Sequence, residues 1–375
     1  MRVVRVAFTL FICTLLFTGC QLSGEVENQA YVLVLGIERL EDGNIGLTAL
    51  VPRIGKNAGS TEGEDSRGSP YLRFSVSGNS WPSALEALQW STPRQVNLSH
   101  IELLVASGNI AGDPEFPELM RNMAEVSSLY TNARFAVCQG SARTFIDAGK
   151  TVIGTRMSAE LKAMLKHYAN QGYIPDSSFA DACYAAGSIY SDPVAIWAYT
   201  ADDDSNAIVT LNESQPVQVL ETPMKQCFSG AAVFREGVFL ETLTAEDTRL
   251  LNLIRGHRTT FCFNCKDNSY EVTPMRSVVK QVEIDNDRVK LILSIELSTQ
   301  EMLCREDIRI LTTDLRHALE ALIQKCQAKR CDPFGFAEEA ASHFVTVPEW
   351  RAFGWRDRYA TAEKEIRVDI RCCSI

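Results

Sequence analysis

The chain lacks a hydrophobic run long enough to cross a bilayer as a helix. Its most apolar stretch, Val6 to Thr18, has 13 residues, against the ~20 that a spanning helix needs. Positive charge is also in deficit, with 37 Lys and Arg against 47 Asp and Glu and a net charge of −10. An acidic chain is not drawn to nucleic acid or to an anionic lipid surface by its overall field, so neither is expected as a partner through charge. Histidine is scarce, with five in 375 residues. His167, His257, His317 and His343 stand far apart and share no metal-ligand spacing.

Catalytic signatures are missing as well. No GxSxG, GxGxxG, P-loop or HExxH occurs, which removes the common hydrolase, dinucleotide, nucleotide and zinc-protease chemistries. Ser99 and His100 are a nucleophile and a base side by side. If "HIELLVASG" is a strand, however, neighbours point to opposite faces and cannot bond to each other. No catalytic residue, no metal and no cofactor is therefore expected, and the chain is not expected to be an enzyme. Asp202, Asp203 and Asp204 lack the ligand spacing of a calcium loop and suit a solvated turn.

Cysteine is present in number, 12 in all, but the count does not make a disulfide framework. Cys138 in "ARFAVCQG" and Cys372 in "IRVDIRCC" sit within apolar strand-like runs, where a free thiol acts as a small hydrophobe. "FCFNC" places Cys262 and Cys265 in a lone CxxC. It allows a local disulfide, half of a zinc site with His257, or neither. A structural zinc site takes four ligands, and the sequence has no second CxxC and no HxxxH.

The amino terminus has the order of an export signal. Arg2 and Arg5 precede the apolar run, which then ends on Leu16-Phe17-Thr18-Gly19-Cys20. The run has the length of a signal-peptide h-region. The junction is close to a lipobox, with Phe17 where Leu is usual. Residues 1–19 are expected to be a signal peptide, and Cys20 to be the lipidated residue. Acylation of its thiol together with an N-terminal acyl chain supplies the two lipid signals that stable anchoring requires. Loss of Arg2 and Arg5 moves the net charge of the remaining chain from −10 to −12.

Beyond Cys20 the chain alternates hairpins and helices. Asp42-Gly43 between two apolar runs predicts a β-hairpin, and Glu236-Gly237 predicts another. A third hairpin is expected around "EIDNDRVK". Residues 55–69, rich in Gly, Ser and charge, read as a surface loop. "WPSALEALQWS" reads as a helix capped by Asn79 or Ser80 with Pro82 in its first turn. "SAELKAMLKHYAN" reads as an amphipathic helix opening on Ser158. "AEDTRLLNLIRG" ends on Gly256. The longest helical pattern, "REDIRILTTDLRHALEALIQKCQAKR", carries acids first and bases last, matching the helix dipole. Hairpins with segregated helices make an α+β, multi-domain fold with mixed and antiparallel sheets. An N-terminal domain over 20–200, a linker over 201–224 and a C-terminal domain over 225–375 are expected.

Several blocks, taken in order, carry a resemblance. "ENQAYVLVLGIERLEDG" follows Cys20, with Glu38 where Asp is usual. "STPRQVNLSHIELLVAS" and "IGTRMSAELKAML" follow in the first half. "SGAAVFREGVFLETLTAEDTRLL" and "DPFGFAEEAASHF", then Trp350 and Trp355, follow in the second. The chain resembles, nearly end to end, the Ger(x)C family, the C-subunit lipoproteins of nutrient germinant receptors in spore-forming bacteria; "TTFCFNCKDN" departs from the family pattern. The resemblance implies a non-enzymatic subunit anchored by lipid on the outer face of the spore inner membrane. Its partners would be the integral-membrane A and B subunits, the B subunit holding the nutrient. A solute-binding lipoprotein of a membrane transporter would share the signal and anchor, but it calls for two α/β lobes where this chain has hairpins in its second half. A cell-surface enzyme would need the site that is missing. Partner contacts call for an exposed apolar patch, and the segment from Pro348 to Tyr359 with Trp350 and Trp355 is the candidate, although core packing of the two indoles is the favoured reading of that segment. "STPRQVNLSH" is expected to be fixed by side-chain to backbone hydrogen bonds from Arg94, Asn97 and His100 after a Pro93 turn.

Overall fold

The computed structural model describes residues 28–53, 71–126, 129–149, 157–201, 208–209, 217–218, 225–257, 259–265, 268–285 and 288–372. The expected signal peptide with Cys20, the loop 55–69, Asp202–Asp204 and the tip of the third hairpin lie outside them.

The first half runs β1 (Gln29–Tyr31), β2 (Val34–Arg39), β3 (Ile45–Pro52), β4 (Tyr71–Gly78), α1 (Trp81–Ser91), β5 (Gln95–Asn97) and β6 (Leu103–Ser107). It continues through α2 (Gly108–Ala111), α3 (Phe116–Ala124), β7 (Arg134–Cys138), α4 (Ala142–Asp147), α5 (Met157–Asn170), α6 (Phe179–Gly187) and β8 (Val194–Thr200). A short antiparallel pair, β9 (Ile208–Val209) and β10 (Val217–Gln218), comes next. The chain then enters β11 (Gln226–Arg235), β12 (Val238–Leu243) and α7 (Ala245–Ile254).

Eight of these strands form one sheet in the order β12-β11-β8-β7-β6-β2-β3-β4. Its centre, β2, β6, β7 and β8, is parallel. The β2–β3–β4 meander flanks it on one side and the β11–β12 hairpin on the other, both antiparallel. Every residue of β6 is buried, as expected of a parallel strand covered on both faces. One face packs Leu35, Ile37, Phe135 and Val137 against Trp81 and Leu88 of α1, Phe116 and Met120 of α3 and Phe179 of α6. The other packs Val34, Val105 and Ile196 against Phe145 of α4 and Leu161 and Leu165 of α5.

Local signals account for the joints. Gly43 takes φ 82° in the first hairpin. Glu236 and Gly237 both take positive φ, 55° and 81°, which the tight turn between β11 and β12 requires. Ser80 caps α1 through a reciprocal bond with Ser83, and Thr244 caps α7. β11 and β12 complete the first sheet from the far side of the 201–224 segment. Hairpin signals report that two runs pair with each other, not which sheet the pair joins.

The second sheet holds β13 (Phe261–Cys265), β14 (Asn268–Pro274), β15 (Val279–Asp285), β16 (Arg288–Thr299) and the closing strand β17 (Glu363–Cys372). Between β16 and β17 come α8 (Arg305–Ala328), α9 (Phe336–Ala341), α10 (Val347–Phe353) and α11 (Trp355–Thr361). β15 pairs antiparallel with β16, while β17 lies parallel to β16 over ten residue pairs. Glu306 and Asp307 open α8 and Lys325 lies in its last turn, a polarity that complements the helix dipole. Leu311, Leu315, Leu319 and Leu322 of α8 share one core with Leu291, Leu293 and Ile295 of β16, with Ile366 and Ile370 of β17, and with Val233 and Leu243 of the first sheet.

Candidate functional site

A densely bonded polar site joins the two sheets. The segment Asp332-Pro333-Phe334-Gly335-Phe336 follows α8, and Gly335 takes φ 81° to turn the chain into α9. Asp332, 4% exposed, accepts from the N–H groups of Phe334 at 3.2 Å, Phe336 at 3.3 Å and Ala337 at 2.6 Å. It thereby satisfies donors that the start of α9 would otherwise strand. Arg255 donates to the carbonyl of Pro333 at 3.1 Å, and Lys280 donates to that of Phe334 at 2.8 Å.

A second Asp-Pro pair, Asp192-Pro193, faces it from the loop before β8. Asp192, 2% exposed, receives a two-pronged bond from Arg356 of α11, Nη2 to Oδ1 at 2.8 Å and Nη1 to Oδ2 at 2.9 Å. It also accepts from the N–H of Glu236 at 3.0 Å and that of Asp332 at 2.8 Å. A bidentate guanidinium–carboxylate pair is both strong and directional. Here it ties α11, the β11–β12 turn and the 332–336 segment to one carboxylate. Burial pushes the Asp332 carboxyl up to about 6, the nearby Asp192 charge adds to this, and the three N–H bonds pull the other way. The Cys331 thiol, donating to the carbonyl of Phe234 at 3.0 Å, is held well above its usual range, chiefly by burial.

Above this site opens a cleft of about 440 Å³ bordered by Ile189, Tyr190, Arg330, Trp350, Arg351 and Asp357. Trp350 and Trp355 are buried beside it, as the core-packing reading of the segment has it, and do not form an exposed patch. They are 4% and 7% exposed, their rings stack 5.8 Å apart, and Trp350 Nε1 donates to the carbonyl of Ile189 at 3.1 Å. The reason is Gly354, whose φ of 66° breaks the segment into α10 and α11. In one continuous helix, residues five apart would diverge by about 140°. The break lets both indoles turn inward, so any partner contact here falls to the rim. A second cleft, about 460 Å³, lies in the first half between α5 and α6, where Arg134 pairs with Asp176 and Lys162 with Glu102 at 3.6 Å.

Ser99 and His100 do touch. Ser99 Oγ lies 2.8 Å from His100 Nδ1, contrary to the expectation that a strand would hold them apart. The strand begins only at Leu103, and both residues sit on an exposed turn. Asn97 makes that turn, its Oδ1 accepting from the Ser99 N–H at 2.8 Å and from Ser99 Oγ at 2.5 Å. The expected side-chain to backbone bond is thus present at Asn97. His100 instead meets the Tyr31 ring edge-on at 4.7 Å.

Among the described residues, no three His, Cys, Asp or Glu side chains converge as a metal site. Cys262 lies on β13, opposite Glu271 of β14. Cys138, Cys183, Cys227, Cys262, Cys304, Cys326, Cys331 and Cys372 are free thiols. The site missed in the sequence is the pair Asp192 and Asp332. The signal available was the repeated Asp-Pro, since an Asp ahead of a chain break readily caps the backbone that follows.

Residues 23–196 match the model of the spore germination protein N-terminal domain, and residues 229–372 match that of the GerAC-like C-terminal domain of spore germination proteins. A solved structure entitled "Crystal Structure of the GerBC protein" is similar in fold, with a TM-score of 0.54 at 11% identity over 91% of this chain and 97% of the other. A comparison with curated proteins gives no match.

Proposed function

The chain belongs to the GerAC family of spore germination proteins, and on that premise we propose that it is the lipid-anchored C subunit of a nutrient germinant receptor. A role in spore germination follows from the membership. The proposal adds that Cys20 carries the lipid, that the protein stands on the outer face of the spore inner membrane, and that it acts by binding the integral-membrane A and B subunits and turns over nothing.

The supporting observation is the tandem order of the two family domains, the first beginning three residues after Cys20. No helix among the described residues is long and apolar enough to cross a membrane, so a tether at Cys20 gives such a chain its hold on the bilayer. A protein confined to one leaflet affects the spore interior only through something that spans it. Confinement also raises its effective concentration beside such partners, so modest contacts suffice. The polar joint at Asp192 and Asp332 supports a binding role, because its carboxylates are held by backbone N–H groups and a guanidinium in a structural lock.

The test is a deletion strain complemented with wild-type or Cys20→Ala protein, scored for nutrient germination, membrane retention and co-purification of two integral-membrane subunits. Wild-type protein should restore all three. Cys20→Ala should release the protein from membranes and lose germination. Normal germination in the uncomplemented deletion strain, with no membrane protein co-purifying, overturns the assignment.

A further inference from the structure

β17 is a ten-residue strand with one free edge. It pairs with β16 along its whole length, and among the described residues it makes no backbone hydrogen bond on its other side. An edge of this length is a template for a further strand unless something blunts it. Proline, a bulge or a short span would do so, and 363–372 has none of these; its charged side chains are the blunting device present, and they restrict a partner strand to a register that pairs them.

What the edge offers is charge in a definite order. Ile366 and Ile370 face the core, with Lys364 reaching Gln327 on the same side. Glu363, Glu365, Arg367, Asp369 and Arg371 alternate with them on the solvated face of the sheet. The side chains of Arg367, Asp369 and Arg371 are 63%, 57% and 54% exposed.

A second strand of the same sequence laid antiparallel, with Val368 opposite Val368, sets Arg367 against Asp369 and Glu365 against Arg371. Two-fold symmetry makes each pairing twice. Ile366 then faces Ile370 on the core side. A shift of the centre to residue 367 puts Arg367 opposite itself and Glu365 opposite Asp369. A shift to 369 puts Asp369 opposite itself and Arg367 opposite Arg371. Opposite charges across an antiparallel pair stabilise it and like charges oppose it, so one register near the middle of the strand is selected.

We propose that β17 is a homodimer edge, at which two copies of this chain pair antiparallel about Val368 and run their five-stranded sheets together. In the single chain the same groups are paired along the strand, Arg367 with Glu365 and Arg371 with Asp369 at 2.9 Å, and across to β16, Glu365 with Lys290 at 2.5 Å and Arg371 with Glu296 at 3.7 Å. The dimer turns Arg367 and Asp369 from partners along the strand to partners across it, leaves the contacts to β16 in reach, and gains the backbone bonds. Such an interface is small, so the association is weak for free chains and strengthens where chains are concentrated on a surface.

The test uses the full chain in detergent, with self-association measured by sedimentation. Arg367→Asp and Asp369→Arg each set like charges opposite each other at two places and should weaken association at least tenfold. The combined swap restores opposite charges in the same register and should return it to within about threefold of wild type, with melting temperatures reporting that all three fold. Val368→Cys should give a disulfide-linked dimer whose bridged peptide, identified by mass spectrometry, joins residue 368 to itself. A chain that stays monomeric to several hundred micromolar, or a dimer insensitive to both single variants and to the swap, overturns the proposal. So does a Val368→Cys dimer bridged through another cysteine.

Discussion

Replacing Asp332 with Asn asks whether the joint between the sheets holds a carboxylate that prefers its proton. The group is 4% exposed, and its pKa rises from 3.8 to about 6, burial being the largest cause. Two pKa units correspond to about 3 kcal/mol of extra cost for the ionised form in the native state at neutral pH. Because the native value lies above the unfolded one, the folded chain takes up a proton between pH 6 and 4 that the unfolded chain does not. The contribution of this group to stability therefore rises as pH falls from 7 through 6 and levels off near 4. Asn does not titrate. It keeps an oxygen for Phe334 and Phe336 but sets an amide against the Ala337 N–H, a fixed loss of about 1–3 kcal/mol. Urea unfolding of both proteins at pH 7, 6, 5 and 4 gives the difference directly. The advantage of wild type over Asp332→Asn should widen by about 3 kcal/mol from pH 7 to pH 4. A difference that is flat with pH would show that the three N–H bonds outweigh burial and keep Asp332 ionised, and the account of the joint given above would be wrong.

Other outcomes follow from single positions. Gly230→Ala should cost about 2–4 kcal/mol in chemical unfolding, because Gly230 takes φ 98° and a Cβ there would stand 2.2 Å from the carbonyl oxygen of Leu243; an unchanged midpoint refutes this. Asn97→Ala removes the acceptor that closes the 97–99 turn and should lower stability by about 1 kcal/mol per bond lost, read as a fall in melting temperature. In the native chain a thiol reagent should modify the exposed Cys262 and Cys304 within minutes while the buried Cys326 and Cys331 react only on unfolding. Fast labelling of either buried thiol in the folded protein contradicts the core described here.

Where local chemistry sets the structure, the sequence can be read directly. Asp42-Gly43 and Glu236-Gly237 mark their turns because few other residues tolerate positive φ there. Ser80, Thr244 and the acids at the start of α8 mark helix ends through bonds made within one turn. The α+β class follows from the same signals. Long-range pairing is different. Nothing within "AEKEIRVDIRCC" says that it will lie parallel to a strand some 70 residues earlier, and nothing in the β11–β12 hairpin says that it will add to the first sheet. Both are settled by which apolar faces remain uncovered once the rest has folded. Trp350 and Trp355 show the limit from another side. Their composition suits an exposed patch as well as a core, and only the left-handed turn at Gly354 decides between them. Strand periodicity does not reach Ser99 and His100, because β6 starts only at Leu103 and Asn97 closes a turn ahead of it.

The completion of the first sheet by β11 and β12 sets the order in which a growing chain becomes safe from misassociation. When Thr200 has emerged, β8 has one neighbour, and its other edge, rich in buried Val194, Ala195, Ile196 and Ala198, is bare. It stays bare until Gln226–Leu243 arrives and closes it. A fragment ending near residue 200, the cut that the linker-like stretch invites, would be born with that sticky flank and should aggregate. One ending after Leu243 would carry every strand of the first sheet, yet still expose Val233 and Leu243 to water where α8 would have covered them. The molecule divides into two sheets, but neither a cut near residue 200 nor one after Leu243 leaves two clean halves.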